Sequence, residues 1–84
     1  MYYSYILLMK NGQLYAGSTQ DLKRRMQEHT NGRSTTTSKY LPVRLIFYEA
    51  FLAKEDAIRR ERYFKTTKGK STLRLMLRHT LENI

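Results

Sequence analysis

Short apolar runs, each broken by glycine, proline or Ser/Thr clusters, alternate along this chain with longer stretches whose apolar positions recur at helical spacing. Tyr3 to Met9 and Gln13 to Gly17 read as two strands, with Lys10-Asn11-Gly12 as the hairpin between them. A two-residue Asn-Gly turn would pair Leu8 with Tyr15 and put Tyr5 and Tyr15 on opposite faces. A three-residue loop, with Gly12 left-handed, would pair Leu7 with Tyr15 and Tyr5 with Gly17, and both tyrosines would share a face. The second register sorts the side chains cleanly. Ile6, Leu8, Leu14 and Ala16 fall on one face, and Tyr3, Tyr5, Leu7, Met9, Gln13 and Tyr15 on the other. A one-residue slip exchanges the faces of a whole strand, so the three-residue register is predicted.

Ser18 or Thr19 can cap a helix beginning near Gln20, with Asp21 in its first turn. Leu22, Met26 and His29 lie at helical spacing on it, with Arg25 on the same side, and Asn31-Gly32 ends it. Arg33 to Tyr40 is polar and rich in Ser and Thr, which predicts an exposed, mobile loop. Pro42 precedes a third strand over Val43 to Phe51, and a second helix follows over Ala53 to Thr66. Thr67-Lys68-Gly69-Lys70 reads as a break. Ser71 or Thr72 would cap a third helix, with a stripe of Leu73, Met76, Leu77, Thr80 and Leu81. The expectation is a single α/β domain spanning 1–84: a three-stranded antiparallel sheet flanked by helices, in the order β-β-α-β-α-α.

Composition narrows the partners. Sixteen Lys and Arg oppose seven Asp and Glu, for a net charge of +9. On so small a body this implies a polyanion, nucleic acid first. No segment is basic on one side and bulky-apolar on the other, as a membrane-surface helix requires. There is no cysteine, hence no disulfide and no thiolate metal site. No apolar run approaches the roughly 20 residues that span a bilayer, and the N-terminus lacks a signal-peptide pattern. A cytoplasmic protein is expected.

Several side chains are unusual for their positions. Arg25 and His29 lie one helical turn apart beside Leu22 and Met26. Structural readings are a snorkelled arginine and a histidine stabilised by the helix end. Glu61 lies at helical spacings among Ala57, Ile58, Phe64 and Lys65, on the core side of its helix. A carboxylate placed there needs a partner. That partner is either an ion pair with Arg25 or Lys65, or a hard cation completed by water and phosphate. Gly69-Lys70-Ser71 looks like the end of a phosphate-binding loop, but the earlier glycine is replaced by Phe64 and no strand precedes it, so a nucleotide triphosphatase is excluded. Neither a His-Glu-x-x-His nor a Gly-x-Ser-x-Gly motif is present. The paired carboxylates of a glycosidase are not indicated either.

Taken in order, these residues resemble the GIY-YIG nuclease superfamily. Tyr3-Ser4-Tyr5 stands in the place of the first triplet and Tyr15-Ala16-Gly17 matches the second. Tyr15 to His29 looks like the family's strand, turn and first helix, and Ala57 to Lys65, with Glu61 inside, like its glutamate helix. The resemblance covers nearly the whole chain and is greatest to the small stand-alone bacterial members, near the nuclease domains of structure-specific resolvases and of the excision-repair incision protein.

The resemblance implies that Tyr5 acts as general base or orients the attacking water, and that Tyr15 holds that water or the scissile phosphate. It implies that Arg25 stabilises charge on the phosphate and that His29 assists proton transfer, directly or through Tyr5. Glu61 would bind one divalent metal, Mg²⁺ or Mn²⁺, and Gly17 would leave room for a backbone to pass. Two departures stand out. Tyr3 and Ser4 replace the glycine and isoleucine of the first triplet, and the asparagine that some members place after the glutamate has no counterpart except Asn83, near the chain's end. A tyrosine with an ordinary pKa near 10 is a poor base, so this chemistry needs a cationic pocket that favours the phenolate. Lys23, Arg24, Arg33, Lys39, Lys65, Lys68 and Lys70 could track a phosphate backbone, and Tyr40 could stack on an unpaired base.

The function expected is a metal-dependent endonuclease acting on structured, branched or flapped DNA, in the setting of DNA repair, working as a homodimer or within a larger repair complex. A nucleic-acid-binding module with little or no cleavage is the alternative. An adaptor that docks a protein through the Leu73 to Leu81 helix is a third reading.

Overall fold

A computed structural model describes all residues, 1–84. Strands β1 (Tyr2–Leu8), β2 (Leu14–Thr19) and β3 (Arg44–Phe51) form an antiparallel sheet in the order β2-β1-β3. Helix α1 (Leu22–Thr30) follows β2. Helices α2 (Lys54–Phe64), α3 (Thr67–Met76) and α4 (Arg78–Glu82) follow β3.

The hairpin takes the three-residue register. Leu7 pairs with Tyr15 and Tyr5 with Gly17. Met9 N–H donates to the Gln13 carbonyl at 2.9 Å, and Gly12 has φ of 85°, the left-handed conformation that closes such a loop. The predicted face sorting holds, but both faces are covered. On one, Ile6 and Ala16 pack with Phe64, Leu73 and Leu77 from the helices. On the other, Tyr5, Leu7 and Met9 are buried with His29 of α1.

On β3 the register shifts between Ile6 and Leu7: Ile6 faces Phe47, whereas Leu7 faces Leu45. The extra residue, Ile46, makes a bulge, so Ile46 and Phe47, adjacent in sequence, both pack against the same core.

Several expectations are corrected. Asp21, not Ser18 or Thr19, caps α1: its carboxylate accepts from Arg24 N–H at 3.1 Å, while the Thr19 hydroxyl turns back onto Asp21. The loop over 33–40 is not uniformly exposed. Ser34 and Thr37 are buried, and it ends in a 3₁₀ turn over Ser38–Tyr40, where the Tyr40 carbonyl accepts from Lys10 N–H at 2.9 Å. Thr67-Lys68-Gly69-Lys70 does not interrupt helix but opens α3. Thr66 caps it by accepting from Gly69 N–H at 3.0 Å, so neither Ser71 nor Thr72 is needed. Gly69 is there for contact, because a Cβ would run into the Tyr63 carbonyl. The expected third helix divides at Leu77 into α3 and α4. Leu73 and Leu77 are buried, whereas Met76 and Thr80 of the expected stripe are exposed.

Candidate active site

Tyr5 and Tyr15 lie on the α1 face of the sheet, with His29 between them. The imidazole makes edge contacts with both rings, its centroid 5.7 Å from Tyr5 and 5.5 Å from Tyr15. Tyr5 lies across Gly17, its partner in register. A Cβ at Gly17 would overlap the phenol carbon and oxygen, so this glycine makes room for the tyrosine ring rather than for a passing backbone. The Tyr5 hydroxyl is 2.9 Å from His29 Nε2 and 3.4 Å from Arg25 Nε, which donates to it. On the far side of the imidazole, Nδ1 is 2.8 Å from the hydroxyl of Thr37.

Arg25 and His29, one turn apart on α1, therefore meet on one hydroxyl. Arg25 also donates from Nη1 to Glu28 at 2.9 Å. That hydrogen bond and the one to Tyr5 keep the guanidinium charged, and its remaining N–H groups are available to an anion. The Glu28 carboxyl is held below its ordinary range, first by Arg25 and then by Arg24, which it meets at 3.4 Å.

Glu61 lies on α2, the helix over the opposite face of the sheet, and meets edge strand β2. Its carboxylate accepts from the Ser18 hydroxyl at 2.5 Å and from Lys65 Nζ at 2.7 Å. Lys65 in turn lies 5.7 Å from the Tyr15 ring centre. Of the two ion-pair partners considered for Glu61, the structure has Lys65 and not Arg25. Burial works to raise the Glu61 pKa, but the hydrogen bonds from Lys65 and Ser18 outweigh it and hold the carboxyl ionised. The Glu61 charge adds, as the smallest of the causes, to the rise in the Tyr5 pKa.

Tyr5 departs from the sequence expectation. Burial pushes its pKa up to about 12, and this outweighs the hydrogen bond and the positive charge of Arg25, which favour the phenolate. The resting side chain is a neutral phenol. The His29 pKa is lowered, chiefly by burial and then by Arg25, so its ring is neutral as well.

No three His, Asp or Glu side chains converge at any point. A lone ionised carboxylate beside a lysine that half-exposes its side chain fits a hard divalent ion that keeps its waters and takes phosphate oxygens. It does not fit a closed tetrahedral site of protein ligands.

The basic residues spread more widely. Lys23 and Arg24 are exposed on α1 beside Arg25, Arg33 and Lys39 belong to the loop that carries Thr37, and Lys68 and Lys70 are exposed on α3. Lys23, Arg33, Lys39, Lys68 and Lys70 have no carboxylate partner. Tyr40 sits against the β1–β2 turn, where the 3₁₀ backbone ties it to Lys10. The largest groove, about 1280 Å³, runs along α1 on its β3 side, between Arg25, Met26, Tyr3 and Tyr48. Neither Tyr5, Tyr15, His29 nor Glu61 lines it.

Sequence reasoning missed Thr37 and Ser18. Thr37 is hidden in a run of like residues, Ser34 to Ser38, with no spacing to single it out. Ser18 was legible in principle: it falls on the Ala16 face of β2, the face that α2 covers. Ser4, in the departing first triplet, is buried on that same face. It donates to Glu49, which also accepts from Arg60 at 2.8 Å, away from the tyrosines.

A tyrosine pair, an arginine and a histidine thus gather on one face of a small antiparallel sheet, and Glu61 lies on α2, the helix over the other face. The chain belongs to the GIY-YIG family, a nuclease family: residues 1–74 match the family's model, the GIY-YIG catalytic domain. It is similar to a UPF0213 protein of Streptococcus agalactiae, 38% identical over 81 residues that cover 95% of this chain and 92% of that one. It is also similar to a UPF0213 protein of Lacticaseibacillus paracasei, 43% identical over 65 residues that cover 76% and 73% of the two chains. Among solved structures, the solution NMR structure of the UPF0213 protein BH0048 from Bacillus halodurans matches with a TM-score of 0.57 and 36% identity, covering 90% of this chain and 85% of that one.

Proposed function

We propose that this protein is a metal-dependent endonuclease that hydrolyses phosphodiester bonds in structured or branched DNA. The observation that carries the reading is the convergence of Arg25 and His29 on the Tyr5 hydroxyl, beside Tyr15 and within reach of the Glu61 charge. Arg25 binds the scissile phosphate through the N–H groups it does not spend on Glu28 and Tyr5. Tyr15 orients the water or the phosphate, and Tyr5 takes part in removing the water's proton. Glu61 holds Mg²⁺ or Mn²⁺, which when bound supplies Lewis acidity to the phosphate and to the leaving oxygen. Lys65, half-exposed beside Glu61, contacts the incoming backbone. The unpaired cations Lys23, Arg33, Lys39, Lys68 and Lys70, together with Arg24, hold flanking phosphates, and Tyr40 stacks on an unpaired base.

The test is nicking of end-labelled branched and linear DNA with each metal, against Glu61→Ala and Arg25→Ala. Cleavage by the wild type that both variants lose supports the assignment, and equal nicking by all three sinks it. A binding module with little or no turnover is the second reading. It is favoured by the Ser18 and Lys65 hydrogen bonds, which already occupy both oxygens of Glu61. It predicts DNA binding that survives Glu61→Ala, with no cleavage by either protein.

A further inference from the structure

Thr37 is fully buried, yet its hydroxyl does not do what a threonine at its position ordinarily does. It precedes the 3₁₀ turn over Ser38–Tyr40 as the capping residue but makes no side-chain cap hydrogen bond. Its one side-chain partner is His29 Nδ1, at 2.8 Å. A buried imidazole held at both nitrogens has its tautomer fixed by whichever partner can only give or only take a proton.

That constraint comes from Arg25. A guanidinium donates and never accepts, so Arg25 Nε–H points at the Tyr5 oxygen, and the phenol must send its own proton elsewhere. His29 Nε2, at 2.9 Å, is the acceptor in place. An accepting Nε2 leaves the neutral ring's proton on Nδ1, facing Thr37 Oγ1. We propose that Thr37 is a positioning residue that accepts this Nδ1 proton and so holds His29 in the tautomer whose Nε2 takes the proton of Tyr5.

Carried into hydrolysis, the proposal rests on the nuclease reading above and supplies the acceptor that a neutral phenol lacks. The water oxygen bonds to phosphorus while one of its protons moves to the Tyr5 oxygen. The Tyr5 proton moves to His29 Nε2 in the same step. The bond from phosphorus to the leaving oxygen breaks, and that oxygen takes a proton from solvent. His29 becomes an imidazolium with Nδ1–H on Thr37 and Nε2–H on Tyr5, and returns its extra proton to solvent afterwards. The other groups facing the ring are Tyr15 on β2, and Arg25 and Glu28 on its own helix. Arg25 opposes the added charge and Glu28 favours it.

The first measurement uses neither DNA nor metal. Long-range ¹H–¹⁵N correlation of the imidazoles, with exposed His79 as internal reference, is expected to show His29 with a protonated Nδ1 and an unprotonated Nε2 near neutral pH. The reverse assignment, with Thr37 donating to Nδ1, overturns the proposal. Thr37→Val keeps the shape and removes the acceptor, and is expected to lose the single tautomer and about a hundredfold in kcat, with KM for DNA unchanged. Thr37→Ser is expected to restore both and covers the case in which Thr37→Val does not fold. Unchanged tautomer and kcat in Thr37→Val would refute the positioning role. A wild-type protein that shows the expected tautomer but cuts no DNA would refute the nuclease reading and leave the hydrogen-bond assignment standing.

Discussion

Gly17 and Arg25 are the residues whose side chains, or lack of one, leave least choice. Gly17→Ala puts a methyl into the Tyr5 ring, and the ring cannot yield without leaving His29. A loss of about 1–3 kcal/mol in urea unfolding is expected, together with loss of cleavage. Arg25→Lys keeps a charge but loses the planar fork that reaches Glu28 and Tyr5 together. Cleavage is expected to fall by about 10²–10³-fold, with the unfolding midpoint nearly unchanged. The place of Arg25 was legible from its turn-long spacing to His29; the register set Gly17 opposite Tyr5, but the space it leaves is filled by the Tyr5 ring and not by a passing backbone. The protonation of Tyr5 was not legible. A sequence shows an arginine close by and suggests a phenolate, whereas the depth of burial that reverses the sign exists only once α1 covers the sheet.

Among the elements, the strands were legible to within two residues at each end, because alternation and Asn11-Gly12 left one register that sorts the faces. The helices after β3 were read less well. Gly69 looked like a breaker, since glycine disfavours helix, but α2 and α3 cross so closely there that only glycine fits. The crossing outweighs the local propensity. Gly69→Ala is accordingly expected to destabilise by more than about 1 kcal/mol, although alanine is the better helix former. Denaturation with a helical circular-dichroism signal tests this, and a stabilised variant would contradict the crossing geometry. The bulge at Ile46 was equally hidden: strict alternation sends Ile46 and Phe47 to opposite faces, yet the fold needs both in one core. At the N-terminus of α1, Asp21→Ala is expected to cost about 1 kcal/mol through the lost cap.

Across the whole molecule, pH and salt give separate readouts. The His29 pKa is lowered in the folded protein from its ordinary 6.5. As pH falls below that value the unfolded chain takes up a proton that the folded one refuses, so stability present above 6.5 is lost progressively towards the lower folded value. Glu28 and Glu61, both lowered from 4.5, hold their contribution until pH falls below 4.5. Urea midpoints should therefore drop between about pH 7.5 and about pH 5.5, and a flat profile there would contradict a buried neutral His29. If the cations grip about four phosphates, DNA affinity should fall by about a hundredfold between about 50 and about 200 mM salt. The placement of α1 joins stability to chemistry. His29 is its one fully buried residue, so the helix is moored to the sheet by the same imidazole that contacts Tyr5 and Thr37. In amide hydrogen exchange α1 should open as its own unit, ahead of β1 and α2. Each such opening dismantles the site, so a bound phosphate that engages Arg25 would register as slower exchange along α1 before any bond is cut.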